Sequence, residues 1–196
     1  KKSSSTTATK NVASNGRAAG SGKNGSARSR GETDTFTIPG LSDGESSKTA
    51  SILQSRLESL IDLTLTLKHV HWNVVGTGFI GVHEMLDPHY EAVAAMVDTT
   101  AERIAALGSS PNGLPGSLVK NRSWDDYGLD RAVVPQHLLE LDKVYAGVIT
   151  SHRDAVSEIG DLDPVTEDML IGQLALLENG DGVISQPSAR TSPRPS

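Results

Sequence analysis

The chain has 196 residues, 36% of them hydrophobic, and its 18 Lys and Arg against 24 Asp and Glu leave a formal charge of −6. This suits one domain with a tail, and no apolar run reaches the roughly 18 residues that a membrane-spanning helix needs. The absence of cysteine removes disulfide and thiol chemistry and fits a reducing compartment; no apolar segment follows the basic N-terminus, so a secretory leader is not expected.

Charge is unevenly placed. Residues 1–30 carry Lys1, Lys2, Lys10, Arg17, Lys23, Arg28 and Arg30 and no acid, so this arm is +7. The other 11 basic residues face all 24 acids, which leaves −13 on residues 31–196. Ser, Thr, Ala, Gly and Asn dominate the arm and cannot bury a core, so residues 1–35 read as a disordered basic tail. A flexible cationic arm on an acidic body points to a polyanion, DNA phosphates first. No groove-reading motif is visible, so binding without sequence preference is expected. A solubilising tail is the plainer alternative.

Residues 36–178 read as a helical bundle. The first helix is expected over 47–75, capped by Ser46 or Ser47 and stopped at Gly76. Its stripe Leu53, Leu57, Leu60, Thr64, Leu67, His71, Val74 alternates steps of four and three, the signature of a buried seam. The second helix, 81–107, ends at Gly108 and carries Pro88 in its interior, which removes one backbone hydrogen bond and permits a kink beside Asp87. A Gly/Pro-rich connection follows over 109–130, long for a bundle loop. The third helix spans 134–159 with Pro135 in its first turn. The fourth starts near Asp163, capped by Asp163 or Thr166, and runs to about 178. Four helices with one long crossover make an all-α bundle. After Glu178 the chain reads NGDGVISQPSARTSPRPS, which is neither apolar nor helical in composition, so 179–196 is expected to be an irregular tail.

Five side chains in the middle of the chain suit a metal that takes mixed nitrogen and oxygen ligands: His71, His83, Asp87, Asp98 and Glu102. On one helix the steps 83→87 and 98→102 each turn about 40° and 87→98 about 20°, so four of them share an arc of roughly 100°. Along the axis, 87 and 98 stand about 16 Å apart and 83 and 102 about 28 Å. One helix cannot grip one ion with both pairs. Either there are two sites, or two antiparallel copies of the helix share each site, as a two-fold dimer allows. Taken singly, His71 reads first as a core histidine, and Asp98 and Glu102 as a solvated face or an ion-pair ladder. The set weighs against this, because buried carboxylates are costly unless paired or metal-bound, and Ala94, Ala101 and Ala105 suggest that the face is buried.

The run HVHWNVVGTGFIGVHEMLD followed by VDTTAERIAALG closely resembles the Dps family, the miniferritins of the ferritin-like superfamily. The resemblance covers roughly residues 36–178, including FTIPGL, LPGSLVKNRSWDDY and DPVTEDMLIG. It implies a ferritin-like four-helix bundle whose crossover carries a short extra helix. It also implies a ferroxidase site between subunits, with His71, His83 and Asp87 from one chain and Asp98 and Glu102 from its two-fold mate. Trp72 resembles a tryptophan beside that iron site, or is a plain core aromatic. Asp161, Asp163 and Asp168 crowd the start of the fourth helix. They either cap it and complement its dipole or, as in the family, line a pore that draws iron inward.

The function implied is iron oxidation and storage with DNA protection. Fe²⁺ would be oxidised with hydrogen peroxide as co-substrate, ferric product would mineralise inside a shell of twelve subunits, and the basic tail would bind DNA in the cytoplasm, at the nucleoid. No membrane partner is expected. Two other readings stand beside it: a non-enzymatic DNA-compacting protein with an idle metal site, and a small di-iron oxidase of an organic substrate. Two departures from the family pattern matter. The family's last helix continues with a Lys and several aromatics where this chain has NGDG, and Thr64 stands where relatives often carry His.

Overall fold

The computed structural model describes residues 38–189 of the chain, with side chains to residue 185. The basic arm therefore lies outside the described residues, as do residues 190–196. In chain order the elements are α1 (Asp43–Asn73), β1 (Val74–Val75), α2 (Phe79–Ala106), α3 (Pro115–Asn121), β2 (Ala132–Val133), α4 (Val134–Ile159) and α5 (Pro164–Ala189). The all-α bundle expected from periodicity is the fold found. α1 packs chiefly on α2 and α4 on α5, and α1 against α4 closes the bundle. No helix among the described residues is long and apolar enough to cross a membrane.

α1 begins one turn earlier than expected. Ser42, not Ser46 or Ser47, is the cap: its hydroxyl accepts from the Glu45 amide at 3.3 Å while its own amide donates to Glu45 Oε2 at 2.9 Å. This reciprocal capping box satisfies two amides that the helix start leaves unpaired. The buried seam of α1 also sits slightly off the expected stripe. It runs Leu53, Leu57, Leu60, Leu63, Leu67, Val70, Val74, all buried, with Thr64 and His71 on its edge.

The short extra helix is present as α3, and the crossover is fastened at three places. Glu58, buried on α1, accepts at Oε1 from Ser117 Oγ and Asn121 Nδ2, both at 2.9 Å, and from Gln54 Nε2 at 3.1 Å. Further on, Trp124 Nε1 donates to Asp62 Oδ2 at 2.8 Å, and the Tyr127 hydroxyl lies 3.0 Å from His137 Nδ1. The crossover then returns to the end of α1, where β1 and β2 pair in parallel, Val74 with Ala132 and Val75 with Val133.

The expected end of the last helix near 178 is corrected: α5 continues to Ala189, so the bundle includes much of the segment read as an irregular tail. Composition concealed the reason. Leu170, Leu174, Leu177 and Ile184 keep helical spacing, and Ile184 is wholly buried. Gly180 lets the backbone come close to Tyr145, since a Cβ there would lie 3.2 Å from the tyrosine ring. The same seam places Asp181 against Asp142 and Glu178; burial and these like charges raise its carboxyl pKa.

Burial also neutralises a histidine. His152 on α4 has no exposed surface, and its Nε2–H donates to Gln173 Oε1 at 3.1 Å. Desolvation lowers its pKa to about 4. The unfolded chain binds this proton near pH 6.5, so the stability that neutral His152 confers is fully present above that pH and fades as pH falls towards 4. The expected loss is on the order of 3 kcal/mol per chain. Urea unfolding at pH 7 and pH 4 checks it: His152→Gln should lose distinctly less than the unaltered chain, and equal losses would refute the assignment.

Candidate metal centre

The end of α1 and the start of α2 are joined by a tight turn that needs two glycines in the left-handed region, Gly76 at φ 87° and Gly78 at φ 81°. This turn sets the last turn of α1 against the second turn of α2 and brings His71 and His83 together. Their rings stack with centroids 3.5 Å apart and planes at 28°. Each ring grips the other's backbone: His71 Nδ1–H donates to the His83 carbonyl and His83 Nδ1–H donates to the His71 carbonyl, both at 3.0 Å. The arrangement fixes both tautomers. Nδ1 carries the proton in each ring, which leaves Nε2 a lone pair that could ligate a metal.

Asp87 follows one turn after His83. Its Oδ1 lies 3.4 Å from His71 Nδ1 and 2.9 Å from Lys68 Nζ. The hydrogen bond from Lys68 is the main reason its carboxyl stays below the usual range, with His71 and His83 adding to it. Lys68 in turn stands over the Tyr90 ring, 4.4 Å from its centroid. Lys68 was not legible in the sequence as part of the site; only the α1–α2 approach brings it to Asp87.

Of the five expected ligands, the fold gathers three, His71, His83 and Asp87, at one end of the α1–α2 pair. Asp98 and Glu102 lie further along α2, about 16 Å or more from Asp87 along the axis, and both are exposed. Their face is open rather than buried as expected: Ala94 and Ala101 are half-buried and Ala105 is exposed. Among the described residues no group of three or more His, Asp or Glu side chains converges closely enough to hold a metal ion. Trp72 is neither a core residue nor packed against the imidazoles within this chain, being 73% exposed; Leu65 and Ile80, also exposed, add to the apolar surface of this region.

The three acids at the start of α5 divide. Asp163 is 3% exposed and paired with Arg103 Nη2 at 2.5 Å, while its Oδ1 accepts from the Val165 amide at 3.2 Å. Burial opposes its charge, but Thr166 and Arg103 outweigh this and hold its carboxyl below the usual range. It caps the helix, and its charge is paired with Arg103 inside the chain. Asp161 and Asp168 remain exposed. The other four histidines have partners of their own: His69, His89 and His137 meet Leu129 O, Tyr145 and Tyr127 respectively, and His152 meets Gln173.

Comparison with known proteins gives a consistent result. A ferritin-like domain family matches residues 50–179. The chain is 54% identical over 144 residues to the DNA protection during starvation protein of Mycolicibacterium smegmatis, covering 74% of this chain and 79% of that one. It is 46% identical over 142 residues to a Haemophilus ducreyi protein named as the major subunit of fine tangled pili, covering 72% and 75%. Among solved structures, the tetragonal form of Mycobacterium smegmatis Dps superposes with a TM-score of 0.76 at 51% identity, over 78% of this chain and 92% of that one.

Proposed function

We propose, from the premise that this chain belongs to the ferritin-like family and within it to the Dps proteins, that it is a ferroxidase and iron store that shields DNA. The observation that carries this reading is the paired imidazoles. Two Nε2 lone pairs are held ready by reciprocal Nδ1–H bonds, with the Asp87 carboxylate one helical turn away. This half-site has nitrogen and oxygen donors suited to iron but too few of them. Asp98 and Glu102 from a two-fold mate supply the missing carboxylates, which accounts for their exposure on a lone chain and for the exposed Leu65 and Trp72.

In this reading Fe²⁺ is the substrate. The imidazoles and carboxylates bind it, and the carboxylates favour the higher charge that develops on oxidation. Lys68 must give up Asp87, so it holds that carboxylate ionised and in place until a cation arrives. Two Fe²⁺ each lose one electron to a single hydrogen peroxide, which takes up two protons and leaves as two waters, so no hydroxyl radical is released. Ferric product collects within a shell of twelve chains, with Asp161 and Asp168 beside its entry pore. The arm carrying Lys1, Lys2, Lys10, Arg17, Lys23, Arg28 and Arg30 binds DNA phosphates, which places the particle on the nucleoid in the cytoplasm.

Light scattering coupled to size exclusion tests the assembly and its chemistry together. A particle near twelve times 20.6 kDa that gains ferric iron after anaerobic Fe²⁺ and then peroxide is the expected result. A monomer that takes up no iron would defeat the reading.

A further inference from the structure

A cleft of about 410 Å³ lies away from the imidazoles, between α1, α4 and the stretch of crossover around Trp124 and Tyr127. Arg56 lines it. No carboxylate among the described residues comes within ion-pair distance of this guanidinium, and its Nη1 is buried with no hydrogen-bond partner. Asp154 and Glu158, which line a shallower hollow on its other side, act on it only at longer range, and burial lowers its pKa. Arg56 thus has no carboxylate within ion-pair distance among the described residues, at the edge of a cleft that has the size of a small-molecule site.

The walls favour a particular ligand. Trp124 is held in place by its bond to Asp62 and by the Arg122 guanidinium 5.8 Å from its ring centroid. Tyr127 is fixed through its hydroxyl to His137, and Val144 and Val148 continue the apolar surface. A preformed aromatic and aliphatic wall favours a flat apolar body without a large ordering cost. Four carboxylates also line the cleft, and three are engaged: Asp62 and Asp126 face Arg122, and Glu140 pairs with Lys143, while Asp125 has no ion pair among the described residues. These acids make the cleft a poor host for a dianion. We infer that it binds a small organic monoanion with a flat apolar body, whose charge is received by Arg56.

Titration calorimetry on the full assembled chain at pH 7 tests this, with benzoate, neutral benzamide and inorganic phosphate as probes. Benzoate is expected to bind saturably at one site per chain. Benzamide should bind about tenfold weaker or worse because it lacks the charge that a guanidinium rewards, and phosphate should not displace benzoate. Arg56→Met should weaken benzoate by a similar factor, while Lys143→Met should not. Unsaturable heats with benzoate, equal affinity for benzoate and benzamide in the unaltered chain, or displacement by phosphate would each overturn the inference. The readout is independent of iron chemistry, so it fails or succeeds apart from the ferroxidase reading.

Discussion

Chains carrying His83→Ala mixed with chains carrying Asp98→Ala are expected to regain about a quarter of the iron-oxidising sites that neither variant has alone. The reasoning is combinatorial. In the proposed two-fold dimer each site would take His71, His83 and Asp87 from one chain and Asp98 and Glu102 from the other. A mixed dimer therefore has one site with both changes and one with neither. Random pairing makes half the dimers mixed, and half the sites in those are intact. Each variant alone loses two of the donors in a symmetric dimer, one per site, and rapid Fe²⁺ oxidation with peroxide should fall by about two orders of magnitude. Ferric absorbance after dissociation and joint reassembly gives the measurement. If the mixture stays as inactive as its components, the site does not span two chains, because a site within one chain is broken in both.

Removal of residues 1–30 is expected to abolish most DNA binding. The arm holds seven cations and no acid, and the remainder carries −13, so the truncated body repels a phosphate backbone. If each cation neutralises one phosphate, the slope of log affinity against log salt flattens by about 6 per arm engaged. Binding at low salt should drop by about 10³-fold or more, and several arms on one particle add to this. Gel-shift titrations of both chains between 50 and 200 mM salt read the slopes directly. A truncated chain that binds with an unchanged slope would show that the contact lies elsewhere on the molecule.

Much of the fold could be read from the sequence because the bundle follows local rules. Each long helix was located from the sequence, and α4 spans the 134–159 expected of it, with Pro135 in its first turn. Ligand spacing on α2 also separated His83 and Asp87 from Asp98 and Glu102 without any structure. What stayed hidden depended on contacts between distant segments. The seam of α1 passes through Leu63 and Val70 because α2 and α4 converge there, and Thr64 and His71, equally well spaced, fall at the edge. Lys68 reaches Asp87 only across the α1–α2 turn. Asp163 looked like one acid among three until Arg103, sixty residues earlier, claimed it. The continuation of α5 was masked by its glycines, of which Gly180 serves close approach to Tyr145, a property that composition does not record.

The mutual grip of His71 and His83 links readiness for iron to the state of the chain. Neither imidazole has a fixed orientation unless the other segment's carbonyl is in place to receive its proton. A newly made or damaged polypeptide, with α1 and α2 apart, has two rotating rings and no prepared donor pair. If the chain is the proposed ferroxidase, it would then be a poor handler of ferrous iron at the moment when loose redox chemistry would do most harm to itself. The prepared donor pair arrives with closure of the hairpin, so one precondition of the proposed shared site is built into the folding of two neighbouring helices.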